Sequence, residues 1–151
     1  MNNSIIKYLI GIASVGLFAF IISTYFFQVA IVHGSSMEPT YSDGNVIFVK
    51  KQYESIDRND VIIGKQNGIF FIKRVVGIEG DRLVIIDGNL YVNDELIGMY
   101  TDIEDSGVLE NTVELQKDEY FVLGDNVNNS IDSRSDKLGI IKEESIIGKV
   151  I

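Results

Sequence analysis

The sequence predicts an all-β domain, a small barrel or sandwich, carried on one N-terminal transmembrane helix. Two observations carry that prediction. Tyr8–Val32 is a stretch of 25 residues without a charge. Everything beyond it breaks into short β-type runs separated by turn residues, and no segment keeps helical periodicity for three turns. A third observation bounds the domain: the chain has 151 residues and no cysteine. A single exported domain of that size has to rely on its core, without disulfides.

At ~1.5 Å per residue the uncharged stretch reaches roughly 37 Å, more than the about 30 Å of a hydrocarbon core. A cleaved leader has a shorter apolar region that ends in small residues. This stretch instead runs into Tyr25-Phe26-Phe27-Gln28-Val29-Ala30-Ile31. The expectation is therefore a cytoplasmic segment over 1–7, a retained anchor over 8–32 and an extracytoplasmic domain over 33–151. Its orientation rests on Lys7 and the amino terminus on one side, against Glu38 and Asp43 as the first charges on the other. The chain then sits in the cell membrane by a single pass, with the lipid bilayer as a partner. Setting Lys7 aside leaves 12 basic against 22 acidic residues. That balance argues against nucleic acid as a ligand and against electrostatic adhesion to anionic lipid.

The strands follow in order. Asn45–Val49 comes after an Asp43-Gly44 turn, and Asp60–Ile63 leads through Asn67-Gly68, a hairpin signal, into Ile69–Ile78. Arg82–Ile86 and Asn89–Val92 flank a second such turn, Asp87-Gly88, and Tyr120–Leu123 and Ile146–Ile151 complete the set. Residues 93–119 are acidic and irregular, and read as a surface excursion.

Two positions carry chemistry. Ser36 lies in Ser36-Met37-Glu38-Pro39-Thr40, directly after the apolar stretch, where the chain's one proline stiffens the turn. Lys73 lies inside the apolar run Ile69–Val76, with Lys73 and Arg74 on opposite faces of a strand. One of these two cations points into apolar surroundings, or both snorkel to water from a sheet edge. Burial lowers a lysine's pKa, and a neutral amine can take a proton from serine. A Cys-His pair is excluded, and a Ser-His-Asp triad would depend on His33, the one histidine. The polar loop Gly124–Arg134 is either a solvated turn or a support layer in which Ser130, Asp132 and Arg134 hold the lysine and the loop.

Taken together, Gly34–Thr40, Asn59–Ile63, Lys73–Gly77 with Gly80-Asp81, and Gly124–Asn126 through Ser130, Asp132 and Arg134 resemble the bacterial type I signal peptidases. These are membrane-anchored Ser-Lys proteases, and the short single-anchor form is similar to the Gram-positive members. The resemblance implies that Ser36 is the nucleophile, Lys73 its general base, Ser130 the residue orienting the lysine, and Asp132–Arg134 a structural ion pair. It implies no metal or cofactor, and signal peptides of secreted preproteins, small at −3 and −1, as substrates. Val32, Met37, Ile47 and Ile72 are the expected substrate-binding residues. Because only three residues separate Val32 from Ser36, the site is expected near the outer lipid surface. Gly34 stands where some members carry an oxyanion-binding serine. The alternative, a catalytically silent homologue acting as a membrane assembly factor or chaperone, fits less well, since silent relatives lose the serine or the lysine. Soluble self-cleaving repressors with similar chemistry lack such an anchor.

Overall fold

The computed structural model describes residues 3–151; residues 1 and 2, part of the expected segment 1–7, lie outside the described residues. Helix α1 (Asn3–Phe26) contains an apolar run, Ile6–Phe26, of 21 residues, none of it buried in protein. At ~1.5 Å per residue this run reaches roughly 31 Å, enough to cross a bilayer.

The uncharged stretch is longer than the helix. At Phe27 it turns into strand β1 (Phe27–Ile31), so the end of the expected 8–32 anchor belongs to the β domain. Absence of charge could not mark this boundary, because both elements are uncharged. Alternation marks it: Phe27, Val29 and Ile31 are exposed while Gln28 and Ala30 turn inward. Lys51 closes the helix end, donating its backbone N–H to the Phe26 carbonyl at 2.8 Å and its Nζ to the Thr24 carbonyl at 3.0 Å. A cation is favourable at that carbonyl end.

The remaining strands are β2 (Val46–Lys50), β3 (Val61–Gln66), β4 (Ile69–Gly77), β5 (Arg82–Ile86), β6 (Asn89–Val92), β7 (Glu95–Leu96), β8 (Val113–Glu114), β9 (Glu119–Leu123), β10 (Ile141–Lys142) and β11 (Ile146–Val150). One sheet runs β1-β2-β11-β3-β4-β9-β10 and a smaller one β7-β6-β5-β8. β1 and β10 are free edges of the larger sheet, so it stays open and does not close into a barrel. Both expected hairpins form, with positive φ at Asn67, Gly68, Asp87 and Gly88, as a two-residue primed turn requires.

Residues 93–119 are not a surface excursion. Tyr100, Ile103, Leu109 and Leu115 are buried with Leu83, Leu90 and Phe121 in a core beneath the small sheet. The apolar residues here come in short, unevenly spaced groups such as Leu96-Ile97-Gly98-Met99-Tyr100 and Val108-Leu109, interrupted by acidic residues, so no periodic pattern announces the buried ones. The acidic residues between them stay outside while Tyr100, Ile103, Leu109 and Leu115 are drawn in.

Candidate active site

The turn after β1 presents Ser36. Its geometry is set by Gly34, which has φ +85° and donates its N–H to Asp43 Oδ1 at 2.8 Å, and by Tyr41 N–H bonding to the Met37 carbonyl at 2.8 Å. Met37 is fully buried, so it pins the turn from below. From the other side the loop after β9 clamps the same turn. Asn126 donates its N–H to the Ser36 carbonyl at 3.0 Å and its Nδ2 to the Ser35 carbonyl at 3.2 Å, while Asn129 Nδ2 donates to Ser35 Oγ at 2.8 Å. Gly124 makes this approach possible: a Cβ there would lie 2.4 Å from Ser130 Oγ and 2.5 Å from the Ser36 carbonyl oxygen.

Lys73, near the middle of β4, is 5% exposed. Its Nζ lies 2.7 Å from Ser36 Oγ and also donates to the Ile72 carbonyl at 2.9 Å. It forms no ion pair among the described residues. Burial lowers its pKa from 10.5 to about 8, against the opposing pull of the Asp132 and Asp125 charges. Arg74 turns to the opposite face. There its Nε and Nη2 donate to the two carboxylate oxygens of Asp125 at 2.8 and 2.6 Å, and its Nη1 to the Asn59 carbonyl at 2.8 Å. Hydrogen bonds and the Arg74 charge outweigh burial and hold the Asp125 carboxyl below its usual range.

The loop residues are brought to the site, with one departure from expectation. Asp132 and Arg134 form a buried bidentate pair, Nε to Oδ1 at 2.8 Å and Nη2 to Oδ2 at 2.9 Å, and Arg134 also reaches the Asp105 carbonyl at 2.8 Å. Gly124 N–H donates to Asp132 Oδ2 at 3.3 Å, which ties the pair to the end of β9. Ser130 stands beside Gly124, but its Oγ is buried without a hydrogen-bond partner among the described residues. It does not bond to Lys73, whose protons go to Ser36 and Ile72.

Beside the serine opens a cavity of about 310 Å³. Val32, Ile47 and Ile72 line it as expected; Met37 does not, because it packs inside the turn. Ala30, Ile31, Ile63, Phe70, Phe71 and Ile147 add to the apolar wall. The sequence could have signalled Ala30 through its period-two relation to Val32. Ile63 and Ile147 are legible only once β3 and β11 are known to be neighbours.

A sequence model of the family described as signal peptidase, peptidase S26, matches residues 5–151 of the chain. The chain belongs to this family. Among signal peptidases it is 33% identical over 153 aligned residues to signal peptidase I U of Bacillus subtilis (strain 168), covering 92% of this chain and 81% of that one. It is 35% identical to signal peptidase I T of the same strain, covering 87% and 76%. The crystal structure of a signal peptidase I from Enterococcus faecalis V583 superposes with a TM-score of 0.53, covering 66% of this chain and all of that one. At 23% identity that superposition shows the shared fold. As a signal peptidase the chain is a peptide hydrolase, and its apolar α1 fits a membrane-associated one.

Proposed function

We propose that this signal peptidase removes N-terminal signal peptides from exported preproteins, with Ser36 as nucleophile and Lys73 as general base. The observation that carries the assignment is a buried lysine, unpaired by any carboxylate, 2.7 Å from a serine hydroxyl. In its neutral form the amine has two N–H groups and one lone pair. One N–H is held by the Ile72 carbonyl, which leaves the lone pair free to accept the Ser36 proton. Ser36 Oγ attacks the scissile carbonyl as the proton moves to Nζ, and the resulting ammonium protonates the leaving amine. Water, deprotonated by the same lysine, then releases the acyl group and regenerates serine. The Ser36 N–H donates to no backbone carbonyl among the described residues and supplies an oxyanion donor. Gly34 contributes no side-chain donor there.

Ser130, Asp132 and Arg134 support the site from behind. The Asp132–Arg134 pair fixes the loop, and the unpartnered Ser130 hydroxyl stands ready to bond Lys73 Nζ once catalysis shifts the amine. Val32, Ile47 and Ile72 narrow the cavity for small side chains at −1 and −3, so leucine or phenylalanine at −1 should resist cleavage.

The domain lies outside the membrane and residues 1–7 inside, in keeping with Lys7 and the amino terminus. Ten positions separate the helix end from Ser36, so chain length alone does not hold the site at the lipid. The exposed face of β1 and β2, with Phe27, Val29, Ile31, Val46 and Phe48, supports that placement instead. A contiguous apolar face beginning at the helix end suits the lipid surface. The silent-homologue reading is disfavoured by the formed Ser36–Lys73 contact. The test is cleavage of a preprotein in detergent by wild type and by Ser36→Ala. Release of the mature protein by wild type only is expected, and an intact preprotein with both overturns the assignment.

A further inference from the structure

Gln28, Ala30, Ile31 and Val32, along β1 and the residue after it, all line the cavity; of these Gln28, Ala30 and Val32 turn inward, and Ile31 is exposed. Val32 and Ala30 match the apolar character of Ile47, Ile63, Ile72 and Ile147 around them, but Gln28 does not. Its side chain is half-buried on the inward face of β1, and its amide makes no side-chain hydrogen bond among the described residues. The other cleft-facing polar groups, His33, Ser36 and Lys73, lie at the opposite, catalytic end. A glutamine amide carries two donor hydrogens and an acceptor oxygen. Left unpaired against an apolar ligand, those groups lose their water without replacement.

The spacing decides what this amide meets. Successive inward residues of a strand are about 6.6–6.8 Å apart, and so are alternate side chains of an extended peptide. A peptide lying along β1 with its −1 residue at the Ser36 and Val32 end sets its −3 residue towards Ala30 and its −5 residue towards Gln28. We propose that Gln28 is a specificity-determining residue that recognises an uncharged polar side chain (serine, threonine, asparagine or glutamine) at position −5 of the substrate. The inference rests on the peptidase reading above and extends it from the small-residue positions to a third one. Serine or asparagine at −5 takes up the amide's hydrogen-bonding capacity; leucine at −5 strands it.

The test uses full-length protein in detergent micelles and peptides alike except at −5, where serine, asparagine or leucine is placed, with alanine kept at −3 and −1. Wild type should favour serine and asparagine over leucine by roughly threefold to tenfold in kcat/KM, the range expected for one net hydrogen bond. Most of the difference should lie in KM. Gln28→Leu should abolish or invert that preference while leaving the discrimination between alanine and leucine at −1 unchanged. Gln28→Ala, which adds no bulk, should abolish it too and serves if the leucine variant folds poorly. An unchanged −5 preference in either folded variant overturns the inference, as does an equal loss on all three peptides, the signature of a merely structural role. Failure of wild type to cleave any of them overturns the peptidase reading itself. Cleavage without a Gln28-dependent preference overturns only the present inference.

Discussion

Lys73 and Arg74 are neighbours on one strand, yet they occupy opposite electrostatic regimes. On the cleft side Lys73 is buried without a carboxylate partner, and desolvation brings its pKa down to about 8. On the other side Arg74 is matched by Asp125 through two hydrogen bonds, and that pairing raises the guanidinium pKa above its already high value. Burial is common to both sites; pairing is what differs. An ion pair keeps a buried cation charged and structural, whereas burial without a partner turns a cation into a base. The Asp132–Arg134 pair repeats the Arg74 solution and stops short of supplying Lys73 with a contact partner.

The comparison breaks most visibly at the dyad. Ser36→Ala, or Lys73→Arg with a guanidinium that does not deprotonate, should lower kcat/KM by on the order of 10³-fold or more. Preprotein cleavage assays read this directly, and a Lys73→Arg enzyme of near wild-type rate would refute the base assignment.

Unfolding by denaturant should then separate the two cations by sign. Arg74→Met leaves the buried Asp125 carboxylate unpaired and should destabilise the domain by about 3–5 kcal/mol. Lys73→Met removes a buried amine that has no carboxylate partner, and should stabilise the domain at neutral pH by on the order of 3 kcal/mol. The folded pKa of about 8 lies below the ordinary 10.5, so between these values the unfolded chain binds more protons. Wild-type stability therefore rises across that window, and the advantage of Lys73→Met should close by its upper end. Equal destabilisation by both variants would contradict the contrast drawn here.

The smallest effect is the pH profile of the intact enzyme. Because catalysis needs the neutral amine, kcat/KM should level off above pH 8 and fall about tenfold for each pH unit below it. Removing the opposing negative charge with Asp132→Asn should move the midpoint to lower pH, since that charge favours the ammonium form. A profile flat down to pH 5 would exclude Lys73 as the base.

Much of this was readable from one dimension. The uncharged run, the Asx-Gly turns and the β-type segments announce a helix followed by hairpins, because all of these are local preferences of a few adjacent residues. Ser36 and Lys73 stand out locally, as a serine three residues before the chain's one proline and a lysine inside an apolar strand. The roles expected of them and of Ser130, Asp132 and Arg134 come from the family resemblance, since a polar loop by itself reads equally as a solvated turn. The end of the helix at Phe26 was not legible, since helix and strand are equally uncharged there, and neither was the burial of Tyr100 and Leu109 amid acidic neighbours. Met37 was misplaced for a related reason: adjacency to Ser36 along the chain says nothing about which side of the turn its side chain fills.

The sequence by itself determined the membrane-length apolar helix, the alternation within each strand and the presence of a serine beside a proline turn and a lysine within an apolar strand, all properties of near neighbours in the chain. Only the tertiary structure decided that Lys73 meets Ser36 across 37 positions, that Arg74 finds Asp125 and Lys73 finds no carboxylate, and that Ile63 and Ile147 join Val32 in one wall. Those outcomes depend on which strands pair in the open sheet. Pairing is settled by burying the apolar faces of all the strands together, a collective quantity that no single segment carries.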